Sequence, residues 1–338
     1  MRTKLLRLTE EDYLLLVTMH HIISDRWSMQ VFRRELLMLY TSMMRHDENA
    51  LADVSAGFMN FVFAERQAIL AGELDSQLDY WRKKLAARIP LLSFHKGFGE
   101  RRTASFDMLR QPIEFTEPEF NKIKEIASRE NCTRFMVLLA GLNVMLYSLT
   151  GDSDIRIGTL VANRGRREFQ DLIGHFINTV ILQVSISPKS TLRQFLRAVR
   201  ADCVLAHANQ EVPFEKVVST LEKEQQIARE SLCQVFLNYQ SSVHEETRAP
   251  GFTLTPLDLQ YSQVHSRATL TTFDLIFDFR ESPTMLRGHV EHTTYLGRRQ
   301  GSRIIKALRH IVDAFFCKPD EEIGAIAAAA NTQRRPQH

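Results

Sequence analysis

A layered α/β architecture is what this sequence predicts, and three patterns carry the prediction. Tyr13, Leu14, Leu15, Leu16, Val17 and Met19 form an almost unbroken apolar run, the mark of an interior strand covered on both faces. Phe273, Leu275, Phe277 and Phe279 alternate with Asp274 and Asp278, the period of a strand with one buried face. Leu138, Leu142, Met145 and Leu149 recur at helical spacing. Strands and helices are interspersed without an internal repeat, which indicates layers rather than a bundle. With 338 residues, the chain suits one large domain or two lobes, each with its own core.

The elements follow in order. The first strand ends at His20-His21, and after Asp25 the apolar positions Trp27, Val31, Phe32, Leu36, Leu39 and Tyr40 predict a helix with Asp25 and Ser28 as candidate N-caps. Strand end, histidines and helix start therefore meet at one corner. Phe58 to Leu70 and Leu74 to Leu85 read as two further helices, and Ile89 to Arg102 as a linker. Thr116-Glu117-Pro118-Glu119 is a capping-box pattern opening a helix, and Thr133 opens another that Gly151 ends. Ile155 to Val161 and Val180 to Ile186 read as strands, Thr191 to Asn209 as a helix, and Val212-Pro213-Phe214-Glu215 as the start of a short one. Val235 to Tyr239, Phe252 to Leu259, Phe273 to Phe279 and Leu286 to Thr294 are strands, followed by a helix from Ser302 to Phe316 and a loose tail from Lys318. Met1 stands close before the first apolar run, so the expectation is that the sequence begins partway into a larger domain.

Composition excludes several classes of function. A chain 44% hydrophobic and 25% charged, with more Phe (21) than Gly (14) or Pro (10), packs a core rather than staying disordered. A formal net charge of +3, without a basic run interleaved with aromatics, does not predict nucleic-acid binding. Cys132, Cys203, Cys233 and Cys317 stand far apart, which supports neither a zinc site nor a disulfide framework. No apolar stretch near the start is long enough to span a bilayer and no signal-peptide pattern precedes it, so the expected location is the cytoplasm, away from membranes.

His20-His21-Ile22-Ile23-Ser24-Asp25 is the stretch with chemistry in it. An imidazole at a strand end can be held by backbone bonds on one nitrogen while the other faces a cavity. The ordinary reading of an isolated pair is two satisfied structural histidines. A metal shared by His20, His21 and Asp25 is disfavoured, because adjacent strand residues point to opposite faces. By the same alternation only one histidine faces a substrate, and the chemistry alone leaves open which.

The segment His20 to Ser28 resembles the HHxxxDG motif of nonribosomal peptide synthetase condensation domains. The similarity extends to Tyr80-Trp81, to Thr159-Leu160-Val161-Ala162-Asn163-Arg164, to Ile173-Gly174-His175-Phe176-Ile177-Asn178-Thr179, and to Asn209-Gln210-Glu211-Val212-Pro213-Phe214-Glu215, all in the family's order. The resemblance implies a two-lobed α/β fold similar to chloramphenicol acetyltransferase, with a tunnel between the lobes. Residues 1–100 would form the C-terminal part of an incomplete N-lobe carrying the HHxxxD motif, 101–317 the C-lobe, and 318–338 a loose tail or linker.

The implied activity is amide-bond formation in secondary-metabolite biosynthesis: a donor acyl or peptidyl thioester passes to the amine of a carrier-bound aminoacyl thioester. His21 would be the catalytic histidine, His20 and Asp25 would support the motif, Asp25 would pair with Arg164, and Arg26, Trp27, Ser28 and Asn178 would belong to the motif or line the tunnel. No metal and no bound cofactor is implied; phosphopantetheine would arrive on donor and acceptor peptidyl carrier proteins, beside an adenylation domain. Heterocyclisation domains are similar but have aspartates where His20 and His21 stand. Tyr80, Trp81 and the Phe273 to Phe279 stripe read as core, and His175, His207 and His292 as scattered histidines without a special role. Ser24 and Ser28 lack the G-x-S-x-G elbow of a hydrolase.

Two departures set rivals beside this reading. The motif's final glycine is Arg26, and the resemblance implies that the half-lobe preceding the HHxxxDG strand in the family is missing here. The expectation is a truncated domain with little activity, and the first rival is a catalytically silent remnant that serves as a carrier-docking or interaction module. The second is a stand-alone acyltransferase using a soluble thioester such as acyl-coenzyme A.

Overall fold

A computed structural model of the chain describes residues 1–46, 51, 57–90, 92, 108–241, 247–249, 251–255, 257 and 273–332. In chain order the elements are β1 (Arg2–Arg7), β2 (Tyr13–Thr18), α1 (Arg26–Arg45), α2 (Phe58–Leu70), α3 (Asp75–Leu85), β3 (Met108–Phe115), α4 (Glu117–Arg129), α5 (Arg134–Thr150), β4 (Arg156–Val161), β5 (Asn178–Gln183), α6 (Leu192–Ala208), α7 (Phe214–Gln225), α8 (Arg229–Leu232), β6 (Val235–Gln240), β7 (Thr247–Ala249), β8 (Phe252–Leu254), β9 (Leu275–Glu281), β10 (Leu286–Thr293), α9 (Gly297–Cys317) and α10 (Ile323–Thr332). They fall into two compact units, a smaller one of Met1–Ser76, Val161–Asn178 and Glu245–Pro256, and a larger one of the remainder.

The units interleave in sequence, unlike the expected division at residue 100. Residues 77–85 belong to the larger unit, and residues 161–178 return to the smaller one because their polar groups satisfy buried groups of α1. The tail expected to be loose from Lys318 is helical over Ile323–Thr332, with Ile323, Ile326 and Ala327 buried against the helices of the larger unit. The alanines between 325 and 330 look featureless in sequence; they also permit close helix packing. The linker expected over Ile89 to Arg102 lies mostly outside the described residues, as does the end of the strand expected to reach Leu259.

In the larger unit one sheet runs in the order β3-β10-β9-β6-β4-β5. β10 pairs antiparallel with β3 and β9, whereas β6 pairs parallel with β9 and β4. The alternation read from sequence holds from Leu275 onward, where Leu275, Phe277 and Phe279 are fully buried and Asp278 and Arg280 occupy the other face. Before the strand it fails, because Phe273 is only half-buried and Asp274 is buried, bonded to Gln234. The capping box of Thr116 and Glu119 opens α4, the Thr133 side chain caps α5, and Gly151 ends α5 in the left-handed region at φ 84°. α5 is buried nearly all round rather than along one stripe, since α4, α6, α9 and α10 surround it.

The smaller unit departs most from the sequence reading. β2 forms an antiparallel two-stranded ladder with β1, with Leu14 opposite Leu6 and Leu16 opposite Lys4. Tyr13 is 54% exposed on one face and Leu16 37% on the other, so the run read as an interior strand is open on both faces among the described residues. An apolar run reports the surroundings a strand prefers; it does not say which residues supply them. α2 places Phe58 and Phe61 against Phe169, Leu172 and Phe176, an aromatic cluster that is the core of this unit.

Candidate active site

β2 ends at Thr18, two residues before the histidines, and the chain then makes a single 3-10 turn over His21–Ile23. The pair therefore sits at a turn rather than within the strand, and strand alternation does not set its directions. His20 caps the turn: its Nδ1 accepts the Ile22 N–H at 3.1 Å. The His21 Nδ1 lies 2.7 Å from the Ser24 carbonyl oxygen. A carbonyl only accepts, so Nδ1 carries the proton and the neutral ring presents its lone pair at Nε2. The two adjacent imidazoles thus take opposite tautomers, His20 as a structural acceptor at Nδ1 and His21 as a donor there, with no partner for His21 Nε2 among the described residues. Both residues are exposed.

Asp25 is the N-cap of α1, and its carboxylate is fully buried. Oδ1 accepts the Ser28 N–H and the Ser28 hydroxyl, each at 2.7 Å, and Arg164 Nη2 at 3.1 Å; Oδ2 accepts the Phe176 N–H at 3.0 Å. Burial pushes the Asp25 carboxyl up, but the Ser28 bonds, the Phe176 N–H and the Arg164 charge together outweigh it and hold it below the usual carboxylate range.

Arg164 arrives from the end of β4, where Asn163 takes a left-handed φ of 50°, a conformation asparagine tolerates better than most side chains. Its side chain is 1% exposed. Nη1 donates to the carbonyls of Phe169 and Leu172, both at 2.7 Å, Nη2 donates to Asp25 and to Ser28 Oγ at 2.9 Å, and the guanidinium lies 3.8 Å from the centre of the Phe176 ring. Burial draws its pKa down and Asp25 draws it up.

The segment from Ile173 to Asn178 closes the knot. The Gly174 N–H donates to Ser28 Oγ at 3.0 Å, and the Gly174 carbonyl lies 2.7 Å from the same oxygen. The single Ser28 proton is thus shared between Asp25 and Gly174, while its lone pairs take Arg164 and the Gly174 N–H. A side chain at 174 would put Cβ 2.2 Å from Phe58 Cδ2, which is why this position has none. His175 Nδ1 then lies 2.9 Å from the His21 carbonyl oxygen, and the two rings meet edge to face with centroids 5.0 Å apart. Three motifs far apart in sequence, residues 20–28, 159–164 and 173–179, thus form one hydrogen-bonded unit around His21.

The other expected site residues stand around this unit. Trp27, 39% exposed, donates Nε1–H to the Gln170 carbonyl at 2.7 Å. Arg26 is the first residue of α1, in a backbone conformation that needs no glycine, because it is absent from the left-handed positions. Asn178 opens β5 and is half-buried, two residues beyond the Phe176 N–H that binds Asp25. The two remaining motifs pair within the larger unit: Trp81 is buried and donates to the Asn209 carbonyl at 2.7 Å, and the Glu211 N–H donates to Gln77. His175 is the residue that sequence reasoning misses, and His292 is fully buried on β10, facing Gly301 of α9. The available signal for His175 is its place between Gly174 and Phe176, two residues whose backbones are both pinned to the start of α1. Among the described residues no group of three His, Cys, Asp or Glu side chains is placed to hold a metal ion.

A family model described as the condensation domain matches residues 1–336. Enniatin synthase of Fusarium equiseti is 31% identical over 315 residues, covering 92% of this chain and 10% of that protein. Bassianolide nonribosomal cyclodepsipeptide synthetase of Beauveria bassiana is 32% identical over 324 residues, covering 93% of this chain and 10% of that one. The chain thus spans a small part of the length of the curated relatives it matches. Among solved structures, the X-domain from teicoplanin biosynthesis superposes with a TM-score of 0.77 at 20% identity, covering 95% of this chain and 73% of that one. SgcC5 from Streptomyces globisporus gives 0.78 at 21% identity, with the same shares of the two chains covered. At these identities the structural likeness is one of fold.

Proposed function

Because the chain belongs to the condensation-domain family, we propose that it joins a donor acyl or peptidyl thioester to the amine of a carrier-bound aminoacyl thioester, with His21 at the reacting centre. The observation that carries this reading is the bond from His21 Nδ1 to the Ser24 carbonyl, which leaves Nε2 as an oriented acceptor. The amine nitrogen attacks the donor carbonyl carbon, the C–N bond forms, and the C–S bond breaks to release the donor arm's thiol. Nε2 takes the proton the amine gives up, which then passes to the departing sulfur. A positioned base contributes about 10²–10⁴-fold, and alignment of two tethered reactants contributes effective molarities up to about 10⁵–10⁸ M. The histidine therefore needs orientation more than strong basicity, and the knot around Asp25 and Arg164 supplies it.

The substrates in this reading are thioesters on the phosphopantetheine arms of donor and acceptor carrier proteins, delivered beside an adenylation domain in the cytoplasm. Asp25 serves in this reading as a structural anchor, since its buried oxygens accept from Ser28, Arg164 and the Phe176 N–H and so tie three segments together. The test supplies a carrier-bound aminoacyl acceptor with either a carrier-bound donor or the same acyl group on coenzyme A, and measures amide product by mass spectrometry. Product from the carrier-bound donor with little from coenzyme A supports the reading; equal turnover of both favours a soluble-thioester acyltransferase, and no product from either contradicts it.

A further inference from the structure

His175 touches the same loop that carries His21, and its neighbours leave its side chain little choice of direction. On one side the Gly174 N–H and carbonyl both meet Ser28 Oγ, and on the other the Phe176 N–H is held by Asp25 Oδ2. Residue 175 is thereby fixed between two buried anchors. Its Nδ1, 2.9 Å from the His21 carbonyl oxygen, must donate, because that oxygen only accepts. The edge-to-face contact of the rings, at 5.0 Å and 74°, limits rotation of the His21 imidazole. The His21 carbonyl also accepts the Ser24 N–H that closes the 3-10 turn, and the Ser24 carbonyl in turn holds His21 Nδ1. His175 therefore acts on the link that sets the tautomer and direction of His21.

We infer that His175 is a positioning residue for His21: its Nδ1–H pins the His21 carbonyl and its ring braces the His21 ring, so that Nε2 is presented in one tautomer and one direction. The rate consequence rests on the function proposed above; the tautomer consequence does not. Loss of positioning leaves the basic nitrogen present but misdirected, so it lowers kcat and leaves KM for both thioesters little changed.

Two substitutions separate the donor from the ring. His175→Phe keeps a ring edge and removes the donor, whereas His175→Asn places an amide N–H where Nδ1 stood and removes the ring. The reporter is the nitrogen-15 spectrum of histidine rings in the full chain, with His21 assigned by its disappearance in His21→Asn, recorded where the imidazole is neutral. It is read beside condensation kinetics and thermal melts. The expected result is a single Nδ1–H tautomer for His21 in the wild type and in His175→Asn, and a mixture in His175→Phe. kcat should fall about tenfold in His175→Phe, part of what a positioned base contributes, and recover most of that loss in His175→Asn. Should the phenylalanine variant not fold, His175→Ala beside His175→Asn still isolates the donor, since both lack the ring and only asparagine offers an N–H. An unchanged His21 tautomer together with unchanged kcat in a folded donor-less variant overturns the inference. So does an asparagine variant that behaves like the phenylalanine one. A wild-type chain that shows the predicted tautomer pattern but makes no amide product overturns the proposed function and leaves the positioning role standing.

Discussion

Asp25 and Arg164 lie 139 residues apart in the chain and 3.1 Å apart in the fold, both with side chains out of water. Each brings further bonds to the meeting: Ser28 and Phe176 on the Asp25 side, the Phe169 and Leu172 carbonyls on the Arg164 side. Of the pair's polar atoms only Arg164 Nε has no partner among the described residues; a buried charge bonded to this degree is tolerable, and costly when one partner is removed. Asp25→Ala or Arg164→Ala should each destabilise the chain by about 3–5 kcal/mol. The double variant should cost clearly less than the sum, and urea melts of all four proteins would measure the coupling. Additive losses would mean that the two groups do not act together.

The same carboxylate predicts an acid limb of stability. The folded pKa of Asp25 is below its ordinary value of 3.8, so the unfolded chain binds the proton first as pH falls. The contribution is fully present above the ordinary value and is lost as pH falls through the folded one. His292 acts in a different window. Burial draws its pKa below the ordinary 6.5, against a weaker opposing bond to the Thr293 carbonyl. Its effect is absent above that value, and stability falls as pH drops below it, because the unfolded state protonates more readily. Melting temperatures at about pH 8 and about pH 5.5, on either side of the ordinary histidine value, should differ less in His292→Gln than in the wild type. An equal difference would rule out His292 as a contributor.

Gly174 has a steric reason to be glycine. Because a Cβ there would overlap the Phe58 ring, Gly174→Ala should cost about 1–3 kcal/mol, the range for overpacking. Gly174→Ala combined with Phe58→Leu, which removes the ring, should recover part of that loss. Thermal melts of the single and double variants decide it.

Arg26 stands where the family motif has glycine, and the sequence predicts that it lowers activity. The fold removes the backbone half of that argument, since residue 26 begins α1 in an ordinary helical conformation. Arg26→Gly should therefore lower stability by up to about 1 kcal/mol, the helix propensity difference, without raising the condensation rate. A large gain in rate from the same variant would show that the arginine side chain itself obstructs the reaction.

The motifs are legible in the sequence, and their mutual contacts are legible only in part. The Asp25 and Arg164 pairing follows from family resemblance, and the alternation of Leu275, Phe277 and Phe279 from periodicity alone. Ser28 can be read as a helix cap, but not as the hydroxyl that joins Asp25, Arg164 and Gly174, because those bonds need three distant segments in register. His175 escapes for the same reason: nothing local to it mentions His21. The exposure of β2 escapes sequence reading because hydrophobic pattern describes what a strand favours around it, not what is there. The helix at Ile323–Thr332 escapes it because small side chains look like a tail until a packed helix face is found to receive them.

In the proposed function His21 serves the reaction through Nε2 while Nδ1 is committed to the Ser24 carbonyl. His21→Asn tests it most directly, because the asparagine amide N–H can replace the Nδ1 donor and keep the turn, while nothing replaces Nε2. Single-turnover amide formation between two loaded carrier proteins, measured beside the melting temperature, should show a rate lower by about 10²-fold or more in a protein as stable as the wild type. An undiminished rate in that folded variant would contradict the account.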